Sequence, residues 1–127
     1  MKEQTRIQTL IQNLSLAAYY KIEVKDLNGT ALTTDRNLGT ASTVKVTNQS
    51  GQEIASYKVV VKGDITGEGI VNLYDIVRIV KYVYDPEPGF TWDESIRRAG
   101  RVTATEGIPR LFDIQRIISY CFNEAIW

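Results

Sequence analysis

Histidine is absent from this chain, and cysteine occurs once, at Cys121. No internal disulfide and no cysteine zinc cluster can form. The usual general base of neutral pH, the Cys/His nucleophilic pairs and the His-ligated zinc and iron sites are excluded with them. Catalysis would have to rest on carboxylates alone, so a non-enzymatic role with no small-molecule substrate is expected. Net charge is lacking too: 15 Lys and Arg balance 15 Asp and Glu. Neither nucleic acid nor an anionic membrane surface is therefore an expected partner. No apolar run approaches the roughly 18 residues of a membrane span, and Met1 to Asn13 is too polar for the apolar part of an export signal. The 43% of hydrophobic residues still suffices for a packed core, in one ordinary domain or two small ones.

Two patterns divide the chain near residue 62. In residues 1–62, Ile7, Leu10, Ile11 and Leu14 recur at helical spacing, predicting one short amphipathic helix from Thr5 to Leu14. Tyr20, Ile22 and Val24 then alternate with Lys21, Glu23 and Lys25, which is the signature of a half-buried strand ending at the turn Asn28-Gly29. Val44 and Val46 alternate with Thr43, Lys45 and Thr47, and the turn Asn48 to Gly51 leads into Glu53 to Lys62, where Tyr57, Val59 and Val61 are placed on one face. The expectation is one helix with about three or four antiparallel strands.

In residues 63–127 the period changes to that of a helix. Ile76, Ile79, Val80 and Val83 form one apolar face, and the run Asp85-Pro86-Glu87-Pro88-Gly89 ends the helix because proline cannot continue it. Thr91, with Glu94 three residues on, has capping-box spacing for a middle helix that Gly100 would end. The segment Leu111 to Phe122 then repeats Leu73 to Tyr84 without a gap, with Leu, Asp, Ile, Arg, Ile and Tyr recurring at six of twelve positions. Ile114, Ile117, Ile118 and Cys121 reproduce the first core face, so the two helices can pack as pseudo-symmetric partners, with Cys121 standing in for Val83.

Ahead of the first copy lies Asp64-Ile-Thr-Gly-Glu-Gly-Ile-Val-Asn-Leu-Tyr-Asp75. Calcium takes six to eight oxygens, and a twelve-residue loop of the EF-hand type supplies them from positions 1, 3, 5, 7, 9 and 12 around a glycine at 6. Those positions hold Asp64, Thr66, Glu68, the Ile70 carbonyl, Asn72 and Asp75, with Gly69 at 6 and apolar Val71 at 8. One calcium ion is expected here. A simpler reading of the same residues is a glycine-rich turn in which Asn72 caps the helix and Asp75 is a first-turn carboxylate. The second copy, Arg101 to Asp113, has one extra residue if Arg101 takes position 1, or begins at Val102 if Asp113 is kept at position 12. Neither register offers a carboxylate at position 1, and no metal is expected there. A guanidinium of Arg101 or Arg110 approaching Glu106 or Asp113 is the alternative to an empty loop.

The run Gly63-Asp64-Ile-Thr-Gly-Glu-Gly69, followed by Val71-Asn72 and Asp75, resembles the first half of a dockerin, the bacterial module of two loop-helix halves that plugs into a cohesin domain. The resemblance extends from Gly63 to about Asn123, and the second half departs from the pattern. Tyr57-Lys-Val-Val-Val-Lys-Gly-Asp64 is similar to the small β-rich modules that precede dockerins in clostridial surface proteins and hydrolases. The fold class so implied is α+β: a small antiparallel β-rich domain with one helix, then an α-helical pair of loop-helix repeats. A secreted or surface-attached bacterial protein is implied, and the absent export signal would then place this chain within a longer precursor.

Opposite the core face, Tyr74, Arg78 and Tyr82 recur at i, i+4 and i+8 beside Lys81, and the repeat gives Phe112, Arg116 and Tyr120. Aromatic and arginine side chains dominate binding hot spots. In the family, recognition uses loop positions 10 and 11 and this helix face, which adds Leu73 and Leu111. The function implied is calcium-dependent docking onto a cohesin-like receptor. The alternative is a calcium-stabilised structural domain that binds none, and the simpler reading of the stripes is that one of them packs against the amino-terminal part. A carboxylate acid/base pair of Asp93 and Glu94 is the remaining enzymatic reading, weakened because adjacent helical positions point apart.

Overall fold

In the computed structural model, the described residues are 1, 3–9, 20–32, 35–103 and 106–122. They form three strands and three longer helices: β1 (Tyr20–Lys25), β2 (Thr43–Asn48), β3 (Glu53–Lys58), α1 (Leu73–Tyr84), α2 (Glu94–Gly100) and α3 (Leu111–Cys121). The fold is α+β. Of the helix expected over Thr5 to Leu14, residues 7–9 are helical, and Leu10 to Leu14 lie outside the described residues.

The strands form one antiparallel sheet in the order β1-β2-β3. Its register sets Ile22 against Val46 and Val24 against Val44, so the β-branched side chains of both strands share one face. That face packs on Ile7, Leu38, Val59 and Val61. Leu38 and Val61 are fully buried, each contributing about 1.5–3 kcal/mol relative to exposure. Asp26 and Asn48 build the turns: the Asp26 carboxylate accepts the amides of Asn28 and Thr30, both at 2.9 Å, and the Asn48 side chain accepts those of Ser50 and Gln52. A bulge between Val46 and Thr47 shifts the β2–β3 register. Strand β3 ends at Lys58, earlier than the alternation implies, and Tyr57 is 59% exposed while Val59 and Val61 are buried. The expected shared face of these three residues is therefore broken. Past Lys58 the chain still pairs with residues 41 and 42 through Val59, but it no longer runs as a strand.

The second core joins the helices. Ile79, Ile96, Ala99, Ile114 and Ile117 pack with Ile65, Val71, Val102 and Ala41. Asn72 caps α1, accepting the Tyr74 amide at 3.0 Å. For α2 the cap is Asp93, whose carboxylate accepts from Ser95 and Ile96, and not the expected Thr91. Aspartate accepts strongly at this position, and the helix starts later than the Thr-x-x-Glu spacing suggested. Gly100 ends α2 as expected and fits tightly, since a Cβ there would stand 2.7 Å from the Pro109 ring and 3.1 Å from Ile65. On α1, Val80 is 39% exposed, and on α3 Ile118 is exposed as well. Both were expected in the core; the buried faces are instead narrower, carried by Ile79 on α1 and by Ile114 and Ile117 on α3, with Ile76, Val83 and Cys121 half-buried around them.

The two cores meet along a polar seam. Thr40 donates its amide to Asp64 and its hydroxyl to the Val61 carbonyl, and Gly63 donates to the Ala99 carbonyl. Gly39 lies so close to the Asp64 loop that a Cβ would fall 1.7 Å from the Gly67 carbonyl oxygen. The obstacle is backbone and cannot swing aside. Gly39→Ala is therefore expected to lower stability by at least about 1–3 kcal/mol, measured as a lower urea midpoint. A midpoint equal to that of the unaltered protein would contradict the close approach.

Candidate metal centre and exposed helix faces

The segment from Asp64 to Asp75 is organised by its two terminal carboxylates. Asp64 is fully buried, and both its oxygens are occupied. Oδ1 accepts the amides of Gly67 (3.0 Å) and Glu68 (3.1 Å), and Oδ2 accepts those of Gly69 and Thr40, both at 2.9 Å. The glycines make this wrap possible, because Gly67 and Gly69 have φ of 82° and 80°, where other residues are strained. Asp75, also fully buried, closes the other end. Its Oδ1 accepts the amides of Ile65 (2.8 Å) and Thr66 (2.9 Å), and its Oδ2 the amide of Asn72 (2.8 Å).

Three of the expected ligands converge at one corner. The Thr66 hydroxyl lies 2.9 Å from Glu68 Oε1 and 3.0 Å from Asp75 Oδ1. A hydroxyl has one proton, so it donates to only one carboxylate at a time. The other contact sets a carboxylate oxygen against a hydroxyl lone pair unless a proton or a cation intervenes. Burial, ahead of the nearby Asp64 charge, pushes the Asp75 carboxyl up to about 6 against the opposing pull of its amide donors. The Ile70 carbonyl accepts no hydrogen bond among the described residues. Thr66, Glu68 and Asp75 thus bring together neutral and anionic oxygens of the kind a hard cation prefers, and the Ile70 carbonyl lies in the same loop without a donor of its own among the described residues. Asp64, Asn72 and Asp75 all hold amides already: Asp64 anchors the loop, Asn72 caps α1, and Asp75 differs in also meeting the Thr66 hydroxyl. The simpler expectation for Asn72 and Asp75, a helix cap with a first-turn carboxylate, describes their present hydrogen bonds. Among the described residues no three His, Cys, Asp or Glu side chains converge as a metal group; the corner is instead built from two carboxylates and a hydroxyl.

The second loop repeats the closing half of this arrangement. Asp113 Oδ1 accepts both the amide and the hydroxyl of Thr103, at 2.8 Å each, and Oδ2 accepts the Arg110 amide at 2.8 Å. Thr103 therefore matches Thr66, and Arg110 matches Asn72. Of the two registers left open, this selects Arg101 at position 1, with the extra residue between Thr103 and Asp113. The alternative to an empty loop, a guanidinium of Arg101 or Arg110 on Glu106 or Asp113, makes no salt bridge among the described residues. A neutral hydroxyl and two amides hold Asp113 instead, and the guanidinium that enters this loop is that of Arg97, on the Gly107 carbonyl at 2.6 Å.

The expected partner stripe is only partly exposed. Leu73, Tyr74, Arg78 and Lys81 face solvent on α1, as do Leu111, Phe112 and Arg116 on α3. Tyr82 is half-buried, stacked on Phe90 with centroids 4.7 Å apart and edge-on to Trp92 at 5.5 Å. Tyr120 is half-buried as well, and its hydroxyl donates to Glu3. Glu3 also accepts the Val71 amide (2.8 Å), and the Gln4 amide reaches the Gly69 carbonyl (2.6 Å). Residues from the amino-terminal part thus lie against the first loop and the end of α3. Unforeseen is a second stripe on α1: Leu73, Val77, Val80 and Tyr84, with Val77 68% exposed. Its counterpart is Leu111 and Ile118 on α3 with Phe122 just past its end. The i, i+4, i+7, i+11 spacing is visible in the sequence, but the apolar periodicity of Ile76, Ile79, Val80 and Val83 places Val80 in the core. Asp93 caps α2, and Glu94 binds Arg97 at 2.5 Å.

No family model, curated protein or solved structure matches the chain.

An aspartate whose folded value is raised binds its proton more readily folded than unfolded. For Asp75 the window runs from about 6 down to the ordinary 3.8, and its contribution makes metal-free stability rise as pH falls through that window. The cost of the buried charge is fully present above it. Exposed carboxylates held low by Lys or Arg partners, such as Glu87 and Glu94, act in the opposite sense. The difference between the unaltered protein and Asp75→Asn therefore isolates the effect, expected to be on the order of 1 kcal/mol between neutral and mildly acidic pH in chelator. A difference independent of pH would contradict it.

Proposed function

We propose that residues 63–127 are a calcium-dependent docking module that binds a cohesin-like protein domain and so anchors a secreted bacterial protein in a complex or on the cell surface. The observation that carries the reading is the oxygen corner of Thr66, Glu68 and Asp75, which has one proton for two carboxylate contacts and gains most from a cation. Thr66, Glu68, Asp75 and the Ile70 carbonyl would hold calcium. Asp64 would join them by giving up an amide, and Asn72 would sit at the loop's helix end. Binding energy would serve as folding energy for the loop and for the α1–α3 pair it positions. The receptor would meet the solvent-facing aromatic, aliphatic and arginine side chains: Leu73, Tyr74, Val77 and Arg78 on α1, and Leu111, Phe112 and Arg116 on α3. Apolar surface of this extent is commonly partnered.

One observation favours the second reading, a calcium-stabilised structural domain without a receptor. Tyr82 and Tyr120 are both spent inside the chain, on an aromatic cluster and on Glu3.

Thermal melting with calcium and with chelator tests the metal. At a calcium concentration 100-fold above the dissociation constant, stabilisation of about 2.7 kcal/mol is expected. Glu68→Gln is the informative variant, because Glu68 is exposed and its loss leaves the Asp64 wrap intact; Asp64→Ala would strip four amides of their acceptor whatever the metal does. A melting point indifferent to calcium rejects the metal site. Mixing with a panel of bacterial cohesins separates the two readings. Capture that chelator abolishes and Val77→Asp weakens supports docking, and calcium stabilisation without capture supports the structural role.

A further inference from the structure

The sheet has a second face, turned away from the core. Alternation places Lys21, Glu23 and Lys25 of β1 on it, with Thr43 and Lys45 of β2 and Ser56 and Lys58 of β3. The register sets Thr43 opposite Lys25 on one side and opposite Lys58 on the other. Two lysines therefore flank a small hydroxyl residue across about 10 Å of sheet, within reach of converging above it. Lys45 stands two residues further along the central strand, on the same side.

These four residues line a pocket of about 170 Å³, walled by Leu27 and Gly29 of the turn after β1. Two carboxylates also border it, and both are engaged. Glu23 is bridged to Lys21 at 3.1 Å, and Lys21, with Lys45 and Lys25 behind it, holds that carboxyl below its ordinary value. The Asp26 carboxylate accepts two amides of its own turn. Lys25 and Lys45 enter no salt bridge among the described residues, and Lys58 has only a 3.4 Å contact to the Ala41 carbonyl. Lys25 and Lys58, neither in a salt bridge, and Lys45, whose cross-strand partner Glu23 is bridged to Lys21, thus share one concave, partly apolar setting with Thr43, although the chain as a whole carries no net charge.

We propose that this pocket binds a tetrahedral oxyanion, the phosphate or sulfate group of a small organic ester, between Lys25, Lys45 and Lys58 with Thr43 beneath it. Three donors that carry full charge match the oxygens of such a group, and the space beside Leu27 and Gly29 admits the organic part. The site is separate from the calcium loop and does not depend on its reading.

The test is an amide-shift titration of the full chain with inorganic phosphate at neutral pH and constant ionic strength, with chloride as the control. Saturable shifts centred on Thr43 and Lys45 are expected. Lys45→Gln and Lys58→Gln should each weaken binding roughly three- to tenfold; both are surface changes whose spectra elsewhere report an intact fold. A sugar phosphate and the matching sugar sulfate distinguish the source. A phosphate ester gains its second charge only above pH about 6, so its binding should weaken below that pH while that of the sulfate does not. Shifts that chloride reproduces, or affinities that neither variant changes, would overturn the proposal.

Discussion

The structure depends most on one buried carboxylate. Asp64 gathers four backbone amides, three from its own loop and one from Thr40, and so does two things at once. It shapes the turn that presents Thr66 and Glu68 to Asp75, and it ties that turn to Thr40, just ahead of the central strand β2. Hydrogen bonds to a charged acceptor contribute about 1.5–3 kcal/mol each, and removing the acceptor would strand buried donors. The glycines at 39, 67 and 69 follow from this wrap, because the loop backbone packs against residues 38–40 with no room for side chains.

The same arrangement bears on the calcium reading in two directions. Amides satisfy Asp64 without a metal, so the loop has a route to order on its own. Asp75 likewise holds three amides, but the Thr66 hydroxyl has one proton for the Glu68 and Asp75 oxygens that it meets. The sister corner around Asp113 differs in just this respect: Thr103 donates both amide and hydroxyl to one carboxylate, with no second carboxylate competing for the hydroxyl among the described residues. A cation would relieve the first corner and has less to offer the second.

Much of the scaffold was legible from short-range patterns. Alternation of Ile22, Val24, Val44 and Val46 gave the inner face of the sheet, and the repeat of Leu73 to Tyr84 in Leu111 to Phe122 gave two equivalent helices. Where several residues competed for one role, the sequence was less informative. Thr91 had the right spacing for a cap, yet Asp93 took it. Val80 and Ile118 fitted an apolar face but lie toward solvent, because a helix packed on a small core buries a narrower stripe than periodicity alone marks out. Tyr82 and Tyr120 matched an exposed stripe, but Phe90, Trp92 and Glu3, distant or separate in sequence, engage them.

The sequence by itself determined the inner face of β1 and β2, the helices over Leu73 to Tyr84 and Leu111 to Cys121 and the oxygen-bearing positions of the first loop, since these rest on spacing within a dozen residues. Only the tertiary structure decided that Asp64 is claimed by Thr40, that Glu3 spans Val71 and Tyr120, and that Lys25 and Lys58 flank Thr43 across three strands. Each of these is a contact between segments far apart in the chain, fixed by sheet register and by the packing of one core on the other, and local periodicity carries no record of either.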